Sequence, residues 1–234
     1  MKPEEFLQGV SLFQSLSHDD RTSLAAALKR RPLKRGEALF RKGDEGTSLY
    51  IVKTGSVKIV LPSETGDEVA AAILSEGDFF GEMSLLDGMP RSADVVALEP
   101  SELLALNQKD FLAFLKDNEG AILSIFSYLS TQLRRTDELL EDAHFLNIST
   151  RFARILVELA QKHGRRKAEG EPIEIDLRLT QKDLASIVGT TRESINKELK
   201  VLREKGLVNT EGDTLQILDL ERLEKRAHLQ EPVT

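Results

Sequence analysis

Phe80-Gly81-Glu82-Met83-Ser84-Leu85-Leu86-Asp87-Gly88-Met89-Pro90-Arg91-Ser92-Ala93 is the stretch on which the reading of this chain turns. Gly81 permits a tight turn, and the run from Glu82 is long enough to close one helical turn. An arginine beside a serine then follows. A short helix with free N–H groups at its start favours an anion. Arg91 offers phosphate oxygens a bidentate, charge-assisted contact, and Ser92 adds a hydroxyl. Glu82 is acceptor-only when ionised, so it suits a sugar hydroxyl rather than a phosphate. The segment therefore carries groups for both halves of a nucleotide's sugar-phosphate. Spacing alone leaves a second reading open, a polar hairpin in which Glu82 and Arg91 pair with each other at the surface, worth about 0–1 kcal/mol.

Around this stretch, from Arg31 to Leu106, the pattern is that of short strands. The apolar runs Ala38-Leu39-Phe40, Leu49-Tyr50-Ile51-Val52, Val57-Lys58-Ile59-Val60 and Val69 to Leu74 precede it; Asp94 to Leu98 and Glu102 to Leu106 follow. Turns at Lys34-Arg35-Gly36, Gly43-Asp44-Glu45-Gly46, Thr54-Gly55, Thr65-Gly66-Asp67 and Glu76-Gly77-Asp78 separate them. Strands repeating at intervals of about 8–12 residues indicate a sandwich or barrel. The turn glycines are expected to supply positive φ. Residues 3–30 read as helical, with a break and restart at Ser17-His18-Asp19-Asp20, where Ser17 is the N-cap.

Beyond the strands the period returns to that of a helix. Phe111, Phe114 and Leu115 mark a short helix, and Asn118-Glu119-Gly120 a break. Ile122, Phe126, Leu129, Leu133, Thr136, Leu140 and Ala143 then alternate at spacings of four and three, a heptad seam. One helix cannot bury such a stripe alone. It either packs flat on the strands or pairs with its twin in a homodimer through residues 122–146. Asn147 suits an N-cap and a change of direction, which places a hinge at Leu146 to Ser149. Residues 164–172 read as a charged loop.

The last third carries a second signature. Thr180 and Asp183 make a capping pattern at the start of a helix that ends at Gly189; Thr190 and Glu193 make another at the start of the next. Two capped helices joined by a turn containing glycine form a helix-turn-helix. Val208 to Gln216, turning at Glu211-Gly212-Asp213, reads as a wing. The second helix is expected to enter the major groove of DNA. Arg192, Glu193, Asn196, Lys197 and Lys200 occupy its exposed face, and arginine matches guanine O6/N7 while glutamate accepts from cytosine N4. Thr180, Gln181, Lys182 and Thr191 are candidates for phosphate contacts, which position without specifying.

Gly81 to Leu86 with Pro90-Arg91-Ser92-Ala93 resembles the phosphate-binding cassette of cyclic-nucleotide-binding domains. With the helix-turn-helix, nearly the whole chain resembles the cyclic AMP receptor protein/fumarate-nitrate regulator family of bacterial transcription factors. The resemblance implies an α+β fold: a jelly-roll-like sensor over residues 1–118, a dimerisation helix and hinge over 119–147, and a winged helix-turn-helix over 148–234. It implies that Glu82 holds the ribose 2′-OH while Arg91 and Ser92 hold the cyclic phosphate, with backbone groups of Gly81, Met83 and Ser84 assisting. It places Thr136 and Asp137 at the purine, one contribution from each subunit, and makes Arg192, Glu193 and Lys197 the base readers. The effector it implies is cyclic AMP; the partners are double-stranded DNA, a second copy of the chain and RNA polymerase. Asp137 departs from the serine or asparagine of many cyclic-AMP-responsive relatives, and Lys197 from an arginine.

Composition bounds these readings. The 234 residues are 30% charged and 40% hydrophobic, as in soluble globular chains, and the N-terminus lacks the layout of a secretory signal. The expected location is the cytoplasm. Cysteine is absent, which excludes disulfides and thiolate metal or cluster sites, and the four histidines are scattered. Neither a catalytic step nor a metal is expected. The net charge of −7 is uneven: residues 1–147 hold 16 Lys and Arg against 24 Asp and Glu, and 148–234 hold 16 against 15. The second part is thus free to present a local basic face. The alternatives are a regulator of the same family that is effector-independent or senses a different ligand, a cupin-like enzyme with a DNA-binding tail, and a subunit that binds a protein rather than DNA.

Overall fold

A computed structural model describes residues 3–14, 16–63, 68–166, 168, 170–211 and 214–228. The turn expected at Thr65-Gly66-Asp67, the wing tip at Gly212-Asp213 and two positions of the charged loop, Lys167 and Glu169, lie outside them. The chain forms two compact units, one of residues 1–66 and 71–136, the other of 137–234 with the stretch 67–70.

The first unit is a two-sheet antiparallel sandwich. Strands β1 (Lys29–Leu33), β8 (Ser101–Asn107), β3 (Ser48–Thr54) and β6 (Phe79–Phe80) form one sheet in that order. Strands β2 (Ala38–Phe40), β7 (Asp94–Ala97), β4 (Val57–Pro62) and β5 (Glu68–Leu74) form the other. Period-two alternation decides which core each side chain joins. Tyr50, Val52, Phe80 and Leu103 face the interior of the sandwich with Val57, Leu74 and Val95. Leu49, Ile51, Phe79, Leu104 and Leu106 face the opposite way. They meet helices α1 (Pro3–Gly9), α2 (His18–Ala27), α4 (Gln108–Asp117) and the start of α5 (Glu119–Phe145). A strand buried on both faces reads as an unbroken apolar run, as Leu49-Tyr50-Ile51-Val52 does.

Most expected strands and caps are present. The Ser17 hydroxyl accepts from the Asp20 N–H at 3.2 Å. Gly36, Gly43, Gly55 and Gly77 adopt positive φ, whereas Gly46 does not. Two elements of this unit differ from the expectation. Residues 29 and 30 belong to a strand, not to the N-terminal helices: Lys29 pairs with Ala105 and Leu33 with Ser101. This is a sheet edge, and its charges and Pro32 conceal the alternation because only Leu33 is buried. Phe79 and Phe80 pair with Ile51 and Tyr50 as a two-residue strand too short to show a period.

Helix α5 is 27 residues long, about 40 Å at 1.5 Å per residue. Ala121 and Ile125 are buried, and Tyr128 and Leu129 pack partly against the same core. The heptad seam largely faces away: Phe126, Leu133 and Leu140 are 63%, 64% and 65% exposed. Packing on the sensor is thus achieved mainly by a second stripe, with Leu129 of the seam joining it, and Phe126, Leu133 and Leu140 remain largely uncovered by the described residues.

In the second unit Asn147 caps α6 (Ile148–His163) by accepting from the Thr150 N–H at 2.9 Å. Helices α7 (Gln181–Val188) and α8 (Arg192–Glu204) follow. Strands β9 (Gly164–Arg165), β10 (Ile173–Ile175), β11 (Val208–Glu211) and β12 (Thr214–Ile217) form a sheet in the order β11-β12-β10-β9. The charged loop expected over 164–172 therefore begins as a strand, and Arg165 is paired with Asp176 at 2.6 Å. A final helix, α9 (Leu220–His228), buries Leu223 and Ala227. At its start the Asp219 carboxylate accepts from the Arg222 N–H at 3.0 Å. Among the described residues no helix is long and apolar enough to cross a membrane.

Candidate functional site

Gly81 and Glu82 open the short helix α3 (Glu82–Asp87) between the paired strand β6 and the loop that leads to β7. Gly81 has φ of 84°, and a Cβ there would stand 2.7 Å from a terminal nitrogen of Arg91, so both conformation and space demand glycine. Gly46, on the β2–β3 loop, is required by space alone. A Cβ on it would lie 2.2 Å from the Cβ of Ser84 and 3.3 Å from Cζ of Arg91.

Arg91 points into the protein and is only 4% exposed. Its Nη1 donates to the Gly81 carbonyl at 2.8 Å and its Nη2 to the Ser48 carbonyl at 2.7 Å. The guanidinium carbon lies 4.3 Å from the centre of the Phe40 ring and 5.7 Å from that of Tyr50. Tyr50 is itself stacked on Phe80 at 5.6 Å. Nε is buried and has no hydrogen-bond partner. Of the five N–H donors of a guanidinium, the two carbonyls engage one on each terminal nitrogen. A buried cation with unused donors is complementary to an anion.

Glu82 is 6% exposed. Burial holds its carboxyl above the usual value of 4.5, opposed by its own backbone N–H and by Arg91. Burial lowers the Arg91 pKa, while Tyr50, Glu82 and Asp44 raise it. Because both groups are buried, the surface hairpin with an exposed Glu82–Arg91 pair is overturned. Ser84 is buried, and Met83 and Ser92 are exposed, the Ser92 hydroxyl lying 3.9 Å from the Met83 sulfur. Tyr128, which sequence reasoning passed over, donates from its hydroxyl to the Phe79 carbonyl at 3.2 Å. Burial, then Glu82 and Asp78, raise its phenol far above the usual value. Its signal was its place in the second stripe of α5. Thr136 lies two turns on, about 12 Å along the helix. It is exposed, and its hydroxyl donates to the Gln132 carbonyl at 3.0 Å rather than to the cassette. Asp137 is likewise exposed.

The raised Glu82 pKa has a measurable sign. A carboxyl with a raised folded-state pKa stabilises the fold below its unfolded value, and that contribution is lost as pH rises through the folded value. Glu82→Gln is therefore expected to melt higher than the parent at pH 7.5 and equally at pH 4. If Glu82 also accepts from a ribose hydroxyl, as the resemblance implies, the same substitution weakens such a ligand about ten- to a hundredfold, since hydrogen bonds to charged groups contribute about 1.5–3 kcal/mol. An equal gain in melting temperature at both pH values would show that burial of the charge is not the cause.

In the second unit Thr180 and Asp183 form the expected capping box: the Thr180 hydroxyl accepts from the Asp183 N–H at 3.1 Å, and the Asp183 carboxylate accepts from the Thr180 N–H at 2.9 Å. The cap of α8 shifts by one residue. Thr191, not Thr190, accepts from the Ser194 N–H at 3.2 Å. The Thr190 N–H instead closes the end of α7 on the Ala185 carbonyl at 3.0 Å, with Gly189 at φ of 70°. Arg192, Glu193, Asn196, Lys197 and Lys200 are exposed on α8, as are Lys182 and Thr191 beside it. The Nε of Arg192 donates to the Gln181 side-chain oxygen at 3.3 Å, joining the first residues of the two helices. Between α7, α8 and the wing lies a groove of about 470 Å³, lined by Leu184, Leu199 and Leu215 together with Thr180, Lys182 and Arg192.

A buried arginine in a glycine-bounded cassette and a winged helix-turn-helix together define a DNA-binding regulator with a ligand-sensing domain. Residues 30–118 match the cyclic nucleotide-binding domain, and residues 150–226 match the Crp-like helix-turn-helix domain. The chain is 30% identical over 224 residues to the CRP-like cAMP-activated global transcriptional regulator of Mycobacterium tuberculosis, covering 96% of this chain and 99% of that one. It is 32% identical over 221 residues to the cyclic AMP receptor protein of Thermus thermophilus, covering 94% and 98%. Among solved structures, the c-di-GMP-responsive global regulator CLP of Xanthomonas campestris superposes with a TM-score of 0.75 at 26% identity, covering 87% of this chain and all of that one. The chain belongs to the cyclic AMP receptor protein/fumarate-nitrate regulator family of DNA-binding transcription regulators, which are not enzymes.

Proposed function

We propose that the chain is a homodimeric transcription regulator whose sensor binds cyclic AMP and thereby sets the two recognition helices for a palindromic DNA site. The observation that carries this reading is Arg91, buried with an unpartnered Nε beside the equally buried Glu82. The arginine, Ser92 and the backbone of Gly81, Met83 and Ser84 take the cyclic phosphate, and Glu82 takes the ribose hydroxyl. Thr136 and Asp137, exposed on α5, meet the purine once the seam has paired. Arg192, Glu193 and Lys197 read bases, Asn196 supports them, and Thr180, Gln181, Lys182 and Thr191 hold phosphates. The protein works in the cytoplasm and meets RNA polymerase at the promoter. Nucleotide shifts an existing equilibrium by its differential affinity for two arrangements of the dimer.

The relatives named above include a cAMP-activated regulator and a c-di-GMP-responsive one. The test is therefore calorimetric titration with cyclic AMP, cyclic GMP and cyclic di-GMP, followed by mobility shift of duplex DNA with and without the nucleotide that binds. Cyclic AMP is expected to bind and to tighten DNA binding. An effector-independent regulator is the second reading, favoured by the two carbonyls that already occupy terminal nitrogens of Arg91. It predicts no heat of binding and equal DNA shifts in both conditions.

A further inference from the structure

Three residues beyond Arg91, at the start of β7, Asp94 buries a carboxylate that serves a different part of the chain. One oxygen accepts from Arg41 Nη1 at 2.7 Å and the other from the Lys42 backbone N–H, also at 2.7 Å. Both donors stand at the beginning of the β2–β3 loop. The loop is closed on itself there, since the Arg41 N–H donates to the Asp44 carboxylate at 2.8 Å and the Asp44 N–H to the Arg41 carbonyl at 3.1 Å. It is then joined to the backbone of Arg91 in both directions. The Gly43 N–H donates to the Arg91 carbonyl at 2.8 Å, and the Arg91 N–H donates to the Asp44 carbonyl at 2.8 Å. Two residues on, Gly46 presses against Ser84 and the Arg91 guanidinium. Ser48, where β3 begins, supplies the carbonyl that holds Nη2.

Residues 41–48 therefore form a strap whose inner side sets where the Arg91 guanidinium sits, and Asp94 is the buried post to which its leading end is fastened. A carboxylate 7% exposed that accepts from a backbone donor on one oxygen and a charged donor on the other is restrained at both. Without it, the turn at 41–44 keeps its own bonds and loses its fixed point on the sheet. The displacement reaches Arg91 through two backbone bonds and through Gly46. A misplaced bidentate donor loses much of its contact with a phosphate.

We propose that Asp94 is a positioning residue of the anion site, acting through the 41–48 strap on Arg91. The inference rests on the role given to Arg91 above and names a residue outside the cassette. Asp94→Asn keeps an acceptor for the Lys42 N–H and removes the ion pair with Arg41; Asp94→Ala removes both. Each is compared with the parent at a temperature where all three are folded by circular dichroism. The readouts are calorimetric affinity for cyclic AMP, cyclic GMP and cyclic di-GMP, and the NMR resonance of the Arg91 Nε–H, which a merely structural role elsewhere would not move. The expected result is affinity about tenfold weaker in the asparagine variant and weaker still in the alanine variant, with the Arg91 Nε–H signal shifted in both. Parent-like affinity in Asp94→Ala, or weakened affinity with the Arg91 signal unmoved, overturns the role of Asp94 and leaves the proposed function standing. A parent chain that binds none of the three nucleotides overturns the proposed function, and the role of Asp94 in capture falls with it.

Discussion

Arg91→Leu is expected to abolish cyclic nucleotide binding while leaving the chain dimeric. The guanidinium is the one buried cation in the cassette, and its bidentate contact to a phosphate is the interaction removed. Two hydrogen bonds to a charged group at about 1.5–3 kcal/mol each correspond to a loss of about a hundredfold to ten-thousandfold in affinity. Leucine fits the apolar company of Phe40 and Tyr50, but it strands the carbonyls of Gly81 and Ser48, each costing about 1–3 kcal/mol if left without a donor. Some loss of thermal stability is therefore part of the expected result. Arg91→Lys separates the two effects: it keeps the charge and loses the planar fork, so its affinity should fall between parent and leucine variant. Titration heats from Arg91→Leu that match the parent would remove the phosphate from this site, and the sensing account with it.

The second large effect is expected at the seam of α5. Leu133→Glu should turn the dimer into a folded monomer. Within one chain Leu133 is 64% exposed, so the substitution removes little that holds the protomer together. In a paired seam the same residue meets its twin, and burying each leucine contributes about 1.5–3 kcal/mol. The variant also places two carboxylates face to face, which adds repulsion and a desolvation cost. Together these raise the dissociation constant by at least about a hundredfold, readable as a concentration-dependent shift in sedimentation. The melting temperature of the sensor is expected to stay unchanged. Leu140, 65% exposed on the same stripe, should respond in the same way. A Leu133→Glu chain that sediments as the parent does would overturn the proposed pairing through this seam.

These two variants also separate the halves of the proposed mechanism. Loss of nucleotide with the dimer retained tests sensing, and loss of the dimer with the sensor folded tests how sensing reaches DNA. Glu82 belongs to the first half in an instructive way. Burial raises its pKa, so its charged form is expected to cost stability at neutral pH, which the proposed ligand role would explain.

The sequence by itself determined the parts whose physics is local. Capping at Ser17, Asn147 and Thr180 needs only a short polar side chain and the next turn of backbone, so those helix starts could be read directly. The two-sided apolar runs of β3 and β8, the heptad spacing of α5 and the glycine-bounded cassette were equally legible, because each is a period or a conformational demand written in consecutive residues. Tertiary structure decided what depends on residues distant in the chain. Lys29 to Leu33 is a strand only because β8 offers it an edge, and no alternation marks it. The Thr190 N–H still closes α7, and α8 starts one residue later with Thr191 as its cap. The strap over Arg91 depends on a carboxylate 53 residues away from Arg41, and such a pairing has no signature in either segment. Whether Arg91 meets Glu82 at the surface or is buried beside it followed from the 41–48 strap and the rings of Phe40 and Tyr50 that pack around the guanidinium, contacts that spacing does not encode.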